Sequence, residues 1–158
     1  MKKDTELIKQ LKELITKGNA HPPLWRAVDN IPELLRGVVP EELPYSIWQL
    51  VEHIRIAQWD ILEFSRNPKH VSPKWPEAYW PEERKPSTDE DWHNSIEQIR
   101  GHQAEFIALL EDESADLYKP FPHGNGQNLL REALVIADHN SYHTAEIIMI
   151  RRLLGNWK

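Results

Sequence analysis

Apolar residues return at steps of three and four along four separate stretches of this chain, and Pro or Gly punctuates the gaps between them. That period places the apolar side chains on one face of a helix, so the chain must fold by laying helix on helix. Thr5 to Lys17 carries Leu7, Ile8, Leu11, Leu14 and Ile15 at these steps, and Gly18-Asn19 stops it. His21-Pro22-Pro23 breaks the chain, and Pro22 or Pro23 opens a short second helix through Trp25, Ala27 and Val28, which Pro32 kinks or ends. Gly37 to Pro44 reads as a connection. Ser46 is an N-cap for a helix that runs to about Ser65 on Ile47, Leu50, Val51, Ile54, Ala57, Ile61, Leu62 and Phe64. Asn67-Pro68 ends it.

The stretch from Pro68 to Pro86 holds five Pro and two Trp and is too apolar for a plain linker. It reads as a long crossover loop that lays Trp75, Tyr79 and Trp80 on the helices, and long loops in compact domains often serve function. Ser87 or Thr88 caps the next helix, with Asp89, Glu90 and Asp91 at its positive end and Trp92, Ile96, Ile99, Phe106, Leu109 and Leu110 on its apolar face. Glu111 to Gln127 is a second connection. The last helix runs from Gln127 or Asn128 to Leu154, with Arg151 and Arg152 set against its dipole and Gly155 as its stop. The expectation is all-α: four long helices and one shorter one in a bundle, as a single domain over residues 1–158, with no strand and no repeat.

Composition narrows the function classes. The 158 residues contain no Cys, which removes disulfides, thiolate metal sites and Cys nucleophiles. A net charge of -6, with Lys and Arg scattered, lacks the basic footprint of a nucleic-acid binder. No apolar run reaches the roughly 18 residues of a membrane span. The start, Met1-Lys2-Lys3, is basic, but the charged amphipathic helix behind it lacks the apolar segment of a signal peptide. The expectation is a soluble cytoplasmic protein.

His139 and His143 stand four apart in the last helix, so both imidazoles leave one face and can reach one ion at about 2.0–2.1 Å if it is zinc. They lie where the apolar run Leu134-Val135-Ile136-Ala137 meets Asp138-His139-Asn140-Ser141-Tyr142-His143. A third ligand must come from another helix, and His53, within Trp48-Gln49-Leu50-Val51-Glu52-His53, is the best candidate. By itself His53 reads as a core-edge histidine hydrogen-bonded to Glu or Tyr. His102, after Gly101, faces either the site or solvent. His123 sits in a Pro- and Gly-rich loop able to overhang a pocket. His21 is placed to close the bundle end, and His70 and His93 read as surface residues. Trp25, Trp48, Trp59 and Trp92 read as core, and Trp75, Tyr79 and Trp80 as a movable lid.

Ser46-Ile47-Trp48-Gln49-Leu50-Val51-Glu52-His53 resembles the second-helix motif of the DinB-like proteins, and Asp138-His139-Asn140-Ser141-Tyr142-His143-Thr144-Ala145-Glu146-Ile147 resembles their fourth-helix His-x-x-x-His motif. The closing Arg151-Arg152-Leu153-Leu154-Gly155 fits as well, and the likeness covers nearly the whole chain. It implies an up-down-down-up four-helix bundle with a long crossover between the second and third long helices. It also implies a divalent metal held by His53, His139 and His143, and often a homodimer. Relatives include S-transferases and isomerases that use bacillithiol, mycothiol or similar thiols. Many relatives have Gln where this chain has Glu146. Glu146 would orient a ligand, supply a fourth oxygen, or face solvent in an ion pair.

With three histidines a coordination position stays open, as in catalytic sites. The expected function is metal-dependent thiol S-transfer or hydrolysis of a small-molecule substrate, with zinc or nickel and a low-molecular-weight thiol as cofactors. Glu146, His102 and His123 are the candidate catalytic residues. The alternatives are a non-catalytic metal- or ligand-binding stress-response module, or an interaction bundle in which Asp138, Glu52 or Glu146 pairs with the histidines.

Overall fold

Helix boundaries fall where a side chain or a special backbone conformation satisfies the helix ends. The computed structural model describes residues 4–41 and 43–158, so the basic start Met1–Lys3 lies outside the described residues. Six α-helices follow in order: α1 Thr5–Lys17, α2 Leu24–Val28, α3 Glu33–Arg36, α4 Ile47–Arg66, α5 Asp89–Glu111 and α6 Leu129–Leu153. A 3₁₀ turn, Glu77–Tyr79, lies in the crossover between α4 and α5. Gly18 ends α1 at φ 68°, a left-handed conformation that glycine adopts without steric penalty.

Side chains start α4, α5 and α6. Ser46 Oγ accepts from the Gln49 amide at 3.2 Å while Gln49 Oε1 accepts from the Ser46 amide at 3.1 Å, a reciprocal capping box. Thr88 and Asp91 form the same device at α5. Asn128 Oδ1 accepts from the Arg131 amide at 2.9 Å at α6. Pro32 does not kink or end the short helix. That helix closes at Val28, Asn30 turns the chain at φ 53°, and Pro32 precedes α3, a position for which its fixed φ is suited.

Cross-helix contacts give the directions of the long helices. Residues 52, 55 and 58 of α4 meet residues 95, 98 and 99 of α5, so the two run parallel, as a long crossover allows. His53 meets His143, and Gln58 meets Asn140, so α6 runs antiparallel to α4. Lys12 meets Glu111 and Gln103 meets the Ile15 carbonyl, so α1 opposes α5.

The core is split in two. One apolar cluster joins α2, the first half of α4, the first half of α5 and Ile147 to Ile150 of α6. The other joins α1, Leu62, Phe106, Leu110 and residues 129–137 of α6. Between them lies a buried polar layer of His53, Gln58, Gln103, Asn140, His143 and Thr144. Buried polar groups are costly unless paired, and most of these are. Gln58 Nε2 donates to the Ile99 carbonyl at 2.7 Å, Asn140 Nδ2 to Gln58 Oε1 at 2.9 Å, and Gln103 Nε2 to the Ile15 carbonyl at 2.9 Å.

Arg151 stands in the last turn of α6, where a basic residue suits the helix dipole, and has a second role. It is buried, and its guanidinium donates to the carbonyls of Ala27 at 2.8 Å and Asp29 at 2.9 Å, fastening the end of α2 to α6. No helix among the described residues is long and apolar enough to cross a membrane.

Candidate metal centre

His53 and His143 of the polar layer meet the half-buried His139, which brings the three candidate histidines together. One ring nitrogen from each of His53, His139 and His143 lies within 4.8 Å of the other two, the only such group of metal-donor side chains among the described residues. Antiparallel packing of α4 on α6 accounts for the juxtaposition: His139 and His143 leave one face of α6 a turn apart, and His53 meets both from α4.

Hydrogen-bond partners fix how the rings are protonated. His53 Nδ1 lies 2.9 Å from the Tyr79 carbonyl, which can only accept, so Nδ1 carries the proton and Nε2 keeps its lone pair. His143 Nδ1 lies 2.6 Å from Glu146 Oε2 and donates to that carboxylate, again freeing Nε2. His139 Nε2 lies 3.0 Å from His53 Nε2 and donates to it. Two of the three imidazoles therefore already hold the tautomer that a metal ligand needs.

Burial holds these rings neutral. It pushes His139 down to about 4, with the charges of His143 and His53 acting in the same direction. Burial also pushes His143 down to about 4, with His53 adding to the shift. His53 is lowered by burial against the opposing effects of the Tyr79 carbonyl and Glu146. Neutral imidazoles are the form that binds metal, and three of them are a donor set that zinc accepts. The donor set fits a divalent metal.

The crossover is pinned over this group, contrary to its expected mobility as a lid. Tyr79 is buried and its hydroxyl donates to Asp60 at 2.6 Å. The Trp80 ring lies flat on His53, with centroids 3.8 Å apart, and Tyr45 stacks on Trp80 at 3.9 Å. Ser46 Oγ donates to the Arg84 carbonyl and Gln49 Nε2 to the Pro81 carbonyl, so the start of α4 fastens the far side of the segment. Of the three expected lid residues only Trp75 is open, with 66 % of its surface exposed.

The other candidates separate. Glu146 neither stands apart in a solvent ion pair nor joins the donor group; it holds His143 from behind, and burial raises its carboxyl against a hydrogen bond from Tyr142. His102 and His123 lie outside the donor group. His102 is lowered by burial, near Glu105, Arg55 and Arg66 on the α4–α5 side. His123 Nε2 donates to the Phe64 carbonyl at 2.8 Å and its ring stacks on Phe121. His21 bonds Ser141 Oγ at 2.9 Å and so ties the turn after α1 to α6. His93 is on the surface, but His70 is not: its side chain is buried against Asp60 and Trp59. Asp60 and the Tyr79 carbonyl have no place among the residues singled out from the sequence. Asp60 follows His53 by two helical turns and so shares its face, which was a usable signal; a backbone acceptor leaves none.

Fold and site together define a helical bundle with a three-histidine group between antiparallel helices, His53 and His143 buried and His139 half-buried. The model of the DinB superfamily matches residues 21–147, and the chain belongs to that superfamily. The match spans both histidine-bearing segments and the crossover between α4 and α5. No curated protein matches the chain.

Proposed function

We propose that His53, His139 and His143 hold one divalent metal ion, zinc or nickel, with a coordination position left open, and that the protein is a metal-dependent enzyme of thiol S-transfer or hydrolysis acting on a small molecule. The observation that carries this reading is the convergence of three neutral ring nitrogens within 4.8 Å, with no carboxylate of the described residues in the group. When bound, the ion would supply Lewis acidity, lowering the pKa of a thiol or water beside it. Three neutral ligands leave its charge uncompensated, which favours an anionic partner such as a thiolate.

The chain's own residues supply the rest. Glu146 and the Tyr79 carbonyl orient His143 and His53 and hold their protons on Nδ1. Trp80 shields one face of His53 from water, and Trp75 and Tyr142, both largely exposed, stand beside His53 and His143 as surfaces for an apolar part of a substrate. A homodimer in the cytoplasm, built from single-domain chains, completes the proposal. Leu134, Met149 and Leu153 expose apolar surface along α6 that such a pairing would cover.

The test is addition of a low-molecular-weight thiol to cobalt-substituted protein. A sulfur-to-cobalt charge-transfer band is expected in the wild type and none in His139→Ala. A spectrum unchanged by thiols and a site already saturated by protein groups would instead favour a non-catalytic metal-binding module.

A further inference from the structure

His53 is held by a carbonyl, and nothing in a peptide group by itself keeps that carbonyl where it is. The crossover segment supplies the fixing. Tyr79 is the last residue of the 3₁₀ turn, and its side chain is buried against α4. Its hydroxyl donates to Asp60 Oδ2 at 2.6 Å and accepts from Ser72. The other carboxylate oxygen, Asp60 Oδ1, lies 2.7 Å from His70 Nε2. The His70 ring stands edge-on to Trp59, with centroids 5.2 Å apart, and is thereby held in turn. One carboxylate thus fastens two points of the crossover, residues 70 and 79, to the same helix that carries His53.

We propose that Asp60, acting through Tyr79 and His70, is a positioning residue for His53: it locks the crossover so that the Tyr79 carbonyl keeps the His53 proton on Nδ1 and its lone pair on Nε2, toward His139 and His143. The effect on a metal rests on the reading of these histidines as ligands; the effect on the His53 proton does not. Asp60 and His53 share a face of α4 two turns apart, so the helix fixes their separation, and the crossover closes the bracket between them. Partners that orient a ligating histidine tune metal affinity by about tenfold or more when removed.

The experiment combines two measurements on the full chain. Nitrogen NMR of ¹⁵N-histidine-labelled, metal-free protein at pH 7.5 reads the His53 tautomer, and competition titration reads zinc affinity. In the wild type His53 is expected as the single Nδ1–H form. In Tyr79→Phe and Asp60→Ala a mixture with the Nε2–H form is expected, with zinc affinity lowered about tenfold. Asp60→Asn, which retains an acceptor for the Tyr79 hydroxyl, is expected to keep the wild-type tautomer. Leu11→Ala, which weakens the distant apolar cluster, separates loss of stability from loss of positioning and is expected to leave both readings unchanged. An unchanged His53 tautomer in Tyr79→Phe and Asp60→Ala overturns the proposal, as does an equal shift in Leu11→Ala. A tautomer shift in a protein that binds no zinc supports the positioning of His53 and removes the metal reading alone.

Discussion

Glu146 accepts a hydrogen bond from Nδ1 of His143 at 2.6 Å, so an acidic residue stands directly behind a candidate metal ligand. A carboxylate in this position makes the imidazole more basic and fixes its ring plane. Glu146→Gln keeps an acceptor but removes the charge, and Glu146→Ala removes both. Zinc affinity measured by competition titration should fall about tenfold in the alanine variant and by less in the glutamine variant. Equal affinity in all three proteins would make Glu146 a bystander.

Burial depresses both His139 and His143 from 6.5 to about 4 in the metal-free fold. Between pH 6.5 and about 4 the unfolded chain therefore binds more protons at these residues than the native protein does. Their contribution to stability is fully present above pH 6.5 and is lost as pH falls toward 4. Urea denaturation of chelator-treated protein should show a midpoint that drops across this window. The drop should be shallower in a His139→Gln, His143→Gln double variant. Parallel pH curves for the two proteins would count against neutral, buried imidazoles.

Metal that binds only the native state stabilises it by mass action. Zinc at a thousandfold excess over its dissociation constant contributes about 4 kcal/mol, which for a chain of this size raises Tm by about 10 °C. Calorimetry before and after chelation should show that shift, and His143→Ala should abolish it.

Arg151 donates to the carbonyls of Arg26, Ala27 and Asp29 and to Asn156, so its removal leaves one buried and several part-buried acceptors without this donor. Arg151→Met retains bulk and should cost about 3 kcal/mol of stability in denaturant titration. Arg151→Lys should recover little, because one ammonium cannot reproduce the fork of donors. Zinc affinity should be unchanged in both, since the clamp fixes α2 and not the histidines.

The helices were legible because apolar steps of three and four, together with Ser46, Thr88, Asn128 and Gly18, encode faces and ends locally. His139 and His143 were legible for the same reason, since their spacing is a property of one helix. His53 needed the family motif, because nothing local tells which residue of α4 will face α6. Three features left no local trace. His70 reads as polar surface until the crossover folds it onto Asp60. Arg151 sits in a helical last turn where a basic residue suits the dipole, and only tertiary packing reveals its carbonyl partners. The rigidity of Tyr79 and Trp80 also comes from contacts far apart in sequence, so a Pro-rich segment that looks mobile is held down at both ends.

The central claim is that three imidazoles from two antiparallel helices hold one metal ion. Elemental analysis of protein purified without a histidine tag, joined to X-ray absorption of the bound metal, tests it most directly. About one divalent ion per chain is expected, with three imidazole nitrogens at about 2.0–2.1 Å if the ion is zinc, and loss of the metal in His139→Ala. Metal-free wild-type protein that takes up none on addition, or full occupancy retained in His139→Ala, would contradict it.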